Sequence, residues 1–185
     1  YDCTVLYADY LLKEFIGWLE ANYNLDDFLI IITADHGEML FEQEDGYAHR
    51  WFLYQPVLHI PMIVRGKGFP QGARFSHATS IEDVSPTIAN AVCGEGPWLA
   101  PATGRDLRQQ DPDRIIIADR PSLTFPEKFI PRKWRMLTKH NHIIRAIVRE
   151  DKKLIWSSAG EHKLYDLASD PEEKVNLYGK PEYRV

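Results

Sequence analysis

The sequence predicts an α/β protein, with part of a doubly wound mixed or parallel sheet, flanking helices and a small antiparallel carboxy-terminal sheet. An amphipathic helical pattern over Cys3–Asn22 leads directly into an unbroken apolar run, Phe28–Ile32. A helix followed at once by a buried strand is the repeating unit of a doubly wound sheet. Beyond Pro112 the pattern changes to short apolar runs joined by polar turns, which is typical of antiparallel strands.

Length and composition limit the classes of protein that fit. The 185 residues, 44% of them hydrophobic, suit one domain, or one domain and a small appendage. A net charge of -5 without a long basic run argues against a nucleic-acid-binding surface. No apolar stretch approaches the roughly 20 residues of a membrane-spanning helix. The chain starts at Tyr1, without an initiator Met or signal peptide, so we interpret it as a fragment or processed piece whose compartment is not predicted.

The apolar run Phe28–Ile32 contains three consecutive isoleucines and suits a strand buried on both faces of a parallel sheet. Val57–Val64 is interpreted as a second buried strand, with Pro61 at its start or at a sheet edge. Arg74–Ser80 is a candidate short strand. Ile81–Val92 reads as a helix that Gly94 ends.

Residues rich in Gly, Pro and Ala over Glu95–Pro112 indicate a subdomain boundary. The four strands predicted beyond it are Arg114–Ala118, Ile143–Arg149, Lys152–Trp156 and Lys163–Leu167. Glu150 and Asp151 form a polar turn between the second and third, which predicts a β-hairpin.

The end of the first strand carries the main candidate site. Asp35, His36 and Gly37 come directly after the apolar run, and open α/β sheets bind ligands beyond the carboxyl ends of their strands. A carboxylate beside an imidazole makes half of a plausible metal site. The alternative is a strand-to-helix turn, with Asp35 as the N-cap and Glu38 in the first helical turn. The residues alone leave both interpretations open.

Five motifs and a terminal signature, in this order, resemble the carboxy-terminal part of a sulfatase, within the alkaline phosphatase superfamily. They are YDCTVLYADYLLKEFIGWLE, LIIITADHGE, AHRWFLYQPVLHIPMIVRG, SIEDVSPTIANAVCG and TGRDL, and near the end HKLYDLASDPEEKVNL. The resemblance covers nearly the whole chain. It implies that residues 1–108 are the carboxy-terminal half of the sulfatase-type α/β core, and that residues 109–185 are a small antiparallel carboxy-terminal subdomain.

The resemblance implies a sulfuric ester hydrolase in which Asp35 and His36 ligate a divalent cation. Calcium is the usual cation of sulfatases, and manganese or magnesium is the alternative. The family's two other ligands, both aspartates, lie near the amino terminus of a complete sulfatase. Its nucleophile, a formylglycine made from a Cys/Ser-x-Pro/Ala-x-Arg motif, is absent here, since neither Cys3 nor Cys93 fits that motif. The fragment alone is therefore expected to be inactive, and the amino-terminal remainder is expected to complete the site.

His49, on the polar loop beyond the strand, is a candidate general acid for the leaving alcohol, and the alternative is a surface histidine. Arg50 could supply positive charge nearby. The expected partner is a sulfate ester, with no nucleic acid and no membrane segment in this chain. Three alternatives remain: a phosphonate or phosphodiester hydrolase, a phosphoethanolamine transferase, and a relative that has lost its chemistry. The terminal LYDLASDPEE motif favours the sulfatase.

Overall fold

The computed structural model describes residues 1–43, 49, 51–94, 96, 103–109, 111–122 and 142–183. These residues form three helices, a two-stranded sheet and a four-stranded antiparallel sheet. The α/β class and the carboxy-terminal antiparallel sheet are therefore confirmed. None of the described helices has the length and apolar character to cross a membrane.

The amino-terminal helix α1 spans Asp2–Asn22, as its periodicity predicts. The chain then turns through a short 3-10 helix, Leu25–Asp27, where the Asn24 side chain accepts a hydrogen bond from the Asp26 backbone N–H. The turn delivers the chain into strand β1, Ile30–Thr33, within one residue of the predicted end. The approach to the candidate site is thus built from local signals in the sequence.

Strand β1 pairs with β2 (Met62–Arg65), with Ile30 opposite Arg65 and Thr33 opposite Met62. The pairing is antiparallel, whereas the apolar run favours a parallel neighbour. The tendency of apolar runs to occur in parallel sheets does not fix the direction of a neighbouring strand, and the four residues of β1 are half-buried rather than buried on both faces.

Of the two other strand predictions, one is confirmed only at its carboxy-terminal end, where Met62–Val64 lie in β2 directly after Pro61, and the other is wrong. The first two residues of the predicted strand Val57–Val64 belong to a short helix, α2 (Gln55–Leu58), which has a proline in its first turn. A proline there fixes φ near the helical value and removes an N–H that the helix does not need, so it favours a helical start. Arg74–Ser80 forms no strand in the structure, and its apolar residue Phe75 is exposed rather than buried in a core.

Helix α3 spans Val84–Cys93 and follows a 3-10 turn. Ser80 and Asp83 form a capping box at that turn, since each side chain accepts from backbone N–H groups at the other end. Gly94 ends the helix with φ of 79°, a left-handed value that glycine adopts without strain. The predicted helix and its end are confirmed.

The carboxy-terminal sheet is a meander in the order β3, β4, β5, β6. Its strands span Ile115–Arg120, Ile144–Arg149, Lys152–Ser157 and Lys163–Asp166. The polar residues Glu150 and Asp151 turn β4 into β5, and Glu150 has φ of 50°. The predicted hairpin is confirmed, while the boundary at residue 108 stays a prediction.

A buried hydrophobic cluster joins the loop after β1 to one face of this sheet. Its members are Met39, Phe52, Leu53, Tyr54, Val57, Ile144, Ala146, Ile155 and Tyr165. Burial of side chains of this size contributes about 1.5–3 kcal/mol each, so this contact is a major stabilising surface. The candidate site therefore lies on a segment that the carboxy-terminal sheet holds in place.

Candidate functional site

The Asp35–His36–Gly37 turn follows β1 directly, and residues 34–39 form no helix. The N-cap interpretation of Asp35 is therefore wrong. Asp35 Oδ1 accepts a hydrogen bond from the His36 backbone N–H at 2.9 Å, which closes a tight local turn instead. The second oxygen, Oδ2, is left for other contacts on a side chain that is 85% exposed.

Gly37 seats this turn against α2. Its N–H donates to the Val57 carbonyl oxygen at 2.8 Å. A Cβ at position 37 would lie 2.0 Å from the Pro56 carbonyl oxygen, a distance that real Cβ atoms essentially never show. Glycine is required here by the closeness of α2, and the hydrogen bond fixes where the two preceding side chains begin.

Asp35 and His36 direct one donor atom each toward a shared position. His36 Nδ1 lies 2.9 Å from the Gly37 carbonyl oxygen, and because a carbonyl only accepts, Nδ1 carries the proton. A neutral His36 then has a lone pair on Nε2, which lies 3.5 Å from Asp35 Oδ2. Two acceptors at this separation favour a cation between them.

The pair fits a divalent metal ion in its chemistry. Ligand atoms about 2.0–2.5 Å from one cation lie about 3–4 Å from each other. Metal-binding histidines commonly donate their second ring N–H to a carbonyl or carboxylate, as His36 does to Gly37. In the described part of the chain, no group of three or more His, Cys, Asp or Glu residues is arranged to hold a metal. The two donors would supply only part of the coordination shell of such an ion.

His49 lies at the same site. Its ring stacks on that of His36, with centroids 4.0 Å apart and planes 25° apart. Its Nδ1 lies 2.9 Å from Glu38 Oε2, and both side chains are partly buried. Glu38 therefore also belongs to the site, although the sequence predicted it only as part of a first helical turn. Its position directly after the Asp-His-Gly turn is the feature of the sequence that indicates its place in the site.

The three residues proposed from sequence, Asp35, His36 and His49, line one open cleft of about 1770 Å3. The cleft continues past β2 to the carboxy-terminal sheet, where Ala118 and Ala146 line it. A small organic group attached to an ester would have room there. Arg50, the candidate for extra positive charge, lies outside the described residues.

Two carboxylates with a lowered pKa, Asp83 and Asp106, belong to a structural network around α3. Burial raises the pKa of Asp83, but hydrogen bonds from Arg114 and from the backbone N–H groups of Arg105 and Ser80 outweigh it, so the pKa is lowered. Hydrogen bonds from the Arg108 side chain lower the pKa of Asp106 to about 2, against the opposing effect of burial. These carboxylates stay charged and tie α3 to the loop that follows it.

A family model described as Sulfatase matches residues 1–94. The chain is 25% identical to a choline-sulfatase of Rhizobium meliloti over 182 residues, which is 98% of this chain and 33% of that protein. It is 28% identical to an N-acetylglucosamine-6-O-sulfatase of Bacteroides thetaiotaomicron over 196 residues, 99% of this chain and 32% of that protein. The solved phosphonate monoester hydrolase of Agrobacterium radiobacter matches with a TM-score of 0.66 and 26% identity, over 95% of this chain and 36% of the other. The chain thus spans about a third of the length of the curated relatives it matches.

Proposed function

The chain belongs to the sulfatase family, and from that premise we propose that the complete protein is a metal-dependent sulfuric ester hydrolase whose active site this chain supplies in part. The observation that carries the proposal is the convergence of Asp35 Oδ2 and His36 Nε2, 3.5 Å apart, beside the stacked ring of His49. The names of the choline- and aminosugar-sulfatase relatives support the reaction type.

Asp35 and His36 are proposed as two ligands of the cation. Calcium prefers ligand sets made of oxygen atoms, and this pair offers one carboxylate oxygen and one imidazole nitrogen. Manganese and magnesium are therefore proposed as alternatives to calcium. When bound, such a cation neutralises sulfate oxygens and favours the ionised nucleophile. The nucleophile, proposed as a formylglycine, and the remaining ligands belong to the amino-terminal remainder of the enzyme.

His49 is proposed as the general acid. Glu38 holds the ring through Nδ1, so Nε2 is the nitrogen that can deliver a proton to the oxygen of the departing alcohol. The stacked His36 ring fixes the plane of the His49 ring as well. Orientation by two contacts is what a proton donor needs, since transfer requires a hydrogen-bond distance to the leaving oxygen.

A phosphonate monoester hydrolase is the alternative within the same superfamily, because a solved enzyme of that name shares the fold at 26% identity. The two activities differ in the ester that is cleaved. A direct comparison of substrates on one preparation separates them.

The test uses the full-length protein, purified with and without added calcium, manganese or magnesium. Hydrolysis of 4-nitrophenyl sulfate is compared with hydrolysis of a 4-nitrophenyl phosphonate monoester, and Asp35→Ala serves as the control. We expect faster turnover of the sulfate ester, loss of activity with a chelator and recovery with one of the cations. A preference for the phosphonate would overturn the sulfatase assignment, and equal activity in Asp35→Ala would overturn the assigned site.

A further inference from the structure

A fully buried ion pair lies between β5 and α2. Lys153 Nζ is 2.7 Å from Glu173 Oε1, and both side chains have no solvent-exposed surface. Removing two charges from water is costly, and a buried pair is often no more stabilising than apolar residues of the same size. The chemistry proposed above uses neither residue. The contacts of the pair indicate a role other than stability.

The pair holds the first residue of α2 from two sides. Glu173 Oε2 accepts a hydrogen bond from the Gln55 backbone N–H at 2.5 Å. Lys153 Nζ donates to Gln55 Oε1 at 3.2 Å. The helix has only four residues, Gln55–Leu58, and so short a helix is not stable without outside contacts. The buried pair supplies such contacts at its amino-terminal end.

The next two residues of α2 contact the candidate metal turn. The Val57 carbonyl oxygen accepts a hydrogen bond from the Gly37 N–H. The Pro56 carbonyl oxygen lies only 2.0 Å from the position that a Cβ of residue 37 would occupy. A shift of α2 would therefore move Gly37, and with it the Asp35 and His36 donors.

Glu173 is itself held in an uncommon conformation. Its φ is 56°, a value that costs a non-glycine residue free energy. Its N–H donates to the Asp170 carbonyl oxygen at 3.1 Å, and Gln43 Nε2 donates to the Glu172 carbonyl oxygen at 2.8 Å. These contacts keep the carboxylate aimed at Gln55, as expected of a group whose position matters.

We propose that Lys153 and Glu173 are positioning residues for the Asp35–His36 turn, acting through Gln55 and α2. The part of the proposal that concerns metal binding rests on the proposed function. The part that concerns the position of Gly37 does not, because it follows from hydrogen bonds among described residues alone.

The test compares two double variants in the full-length protein. Lys153→Met with Glu173→Gln removes both charges and keeps a side-chain oxygen that can accept from the Gln55 N–H. Lys153→Met with Glu173→Leu removes the charges and that acceptor. The two proteins have similar side-chain volumes, so they differ chiefly in the contact to α2.

Two readouts are measured: hydrogen exchange at the Gly37 and Gln55 amides, and the affinity for calcium and for manganese alone. In the Leu variant we expect both amides to exchange at least about tenfold faster than in the Gln variant. We also expect metal affinity to fall about 10-fold to 100-fold, the usual effect of losing a group that supports a ligand. Asp83→Asn, which breaks a buried ion pair with Arg114 and has no described contact with α2, is the control. It is expected to lower thermal stability without changing exchange at Gly37.

Equal exchange at Gly37 in the two double variants would overturn the proposal. If the wild-type protein binds no metal, the proposed function fails, while the exchange difference still tests the positioning role. Should the Leu variant fail to fold, Glu173→Asp gives the same comparison, since it keeps the charge and draws the carboxylate back from Gln55. Faster exchange at Gly37 in that variant supports the proposal, and unchanged exchange overturns it.

Discussion

The imidazole rings of His36 and His49 lie stacked, with centroids 4.0 Å apart, although 12 residues separate them in the chain. Each ring is fixed through its Nδ1, His36 by the Gly37 carbonyl oxygen and His49 by Glu38. The Nε2 atom of His36 therefore lies beside the Asp35 carboxylate, and the Nε2 atom of His49 is the nitrogen proposed to protonate the leaving group. The proposed ligand and the proposed acid are thus in direct ring contact, as a compact site for cleaving an ester requires.

The first prediction concerns His49. In the full-length enzyme, His49→Ala should lower kcat for an alkyl sulfate about 100-fold to 10,000-fold, the usual contribution of a general acid. It should affect 4-nitrophenyl sulfate much less, since nitrophenolate leaves without protonation. The measurement is the ratio of the two rates, with metal content determined in parallel. Equal losses for both esters would show that His49 acts otherwise than as the acid.

The second prediction concerns Gly37. Gly37→Ala would place a Cβ 2.0 Å from the Pro56 carbonyl oxygen, so the turn and α2 must separate. We expect a loss of about 1–3 kcal/mol in the free energy of unfolding, typical of overpacking, together with weaker metal binding.

Gly17→Ala is the matched control for that change. Gly17 is exposed on α1, and a Cβ there would meet no atom within 4 Å. Alanine in a helix interior should raise stability by about 0.5–1 kcal/mol. Calorimetry of both variants checks the pair, and a Gly37→Ala protein as stable as Gly17→Ala would contradict the close packing of the turn on α2.

Local signals in the sequence predicted much of the fold. Helix α1 and the four carboxy-terminal strands have clear periodicity, and α3 follows a capped 3-10 turn and ends at Gly94. The Asp35–His36 pair was also found locally, because it follows the end of an apolar run. Such features depend on neighbours within a few residues, which the sequence displays directly.

The features that sequence reasoning missed depend on distant parts of the chain. Helix α2 is too short for a periodic pattern, and its first backbone N–H donates a hydrogen bond to the Glu173 carboxylate, 118 residues away. The partner of His49 is Glu38, across an irregular loop. Lys153 offered one unused signal, because it occupies an inward position of β5 alongside the buried Ile155. A lysine in that register indicates a buried partner without saying which.

The third prediction concerns stability in acid. The folded-state pKa of Asp106 is about 2 against an ordinary value of 3.8, chiefly because of the hydrogen bonds from Arg108. A lowered pKa means that the charged form stabilises the folded protein above pH about 3.8, and that this contribution disappears as the pH falls toward about 2. The shift corresponds to about 2 kcal/mol.

Asp106→Asn should therefore lower the free energy of unfolding by about 2 kcal/mol at pH 7, and the difference from wild type should shrink between pH 4 and pH 2. Asp113→Asn is the control, because Asp113 has a side chain that is 75% exposed. Unfolding is followed in the full-length protein at each pH. A difference that stays constant from pH 7 to pH 2 would mean that the carboxylate charge is not what stabilises this contact.

The last prediction tests the two proposed ligands. Asp35 is 85% exposed and begins no helix, so Asp35→Asn should leave the unfolding temperature of the metal-free protein within about 1 °C of metal-free wild type, as for most exposed substitutions. As a ligand change, it removes a negatively charged group from contact with the cation, so metal content and ester hydrolysis in the full-length enzyme should fall strongly.

His36→Ala should behave alike, because it removes the Nε2 donor 3.5 Å from Asp35 Oδ2. His36→Asn should retain more calcium-dependent activity than His36→Ala, since an amide oxygen suits calcium. Metal content by mass spectrometry, hydrolysis of 4-nitrophenyl sulfate and thermal unfolding are measured for each variant. Wild-type metal content and rate in both Asp35→Asn and His36→Ala would remove the ligand assignment, and with it the observation on which the proposed function depends.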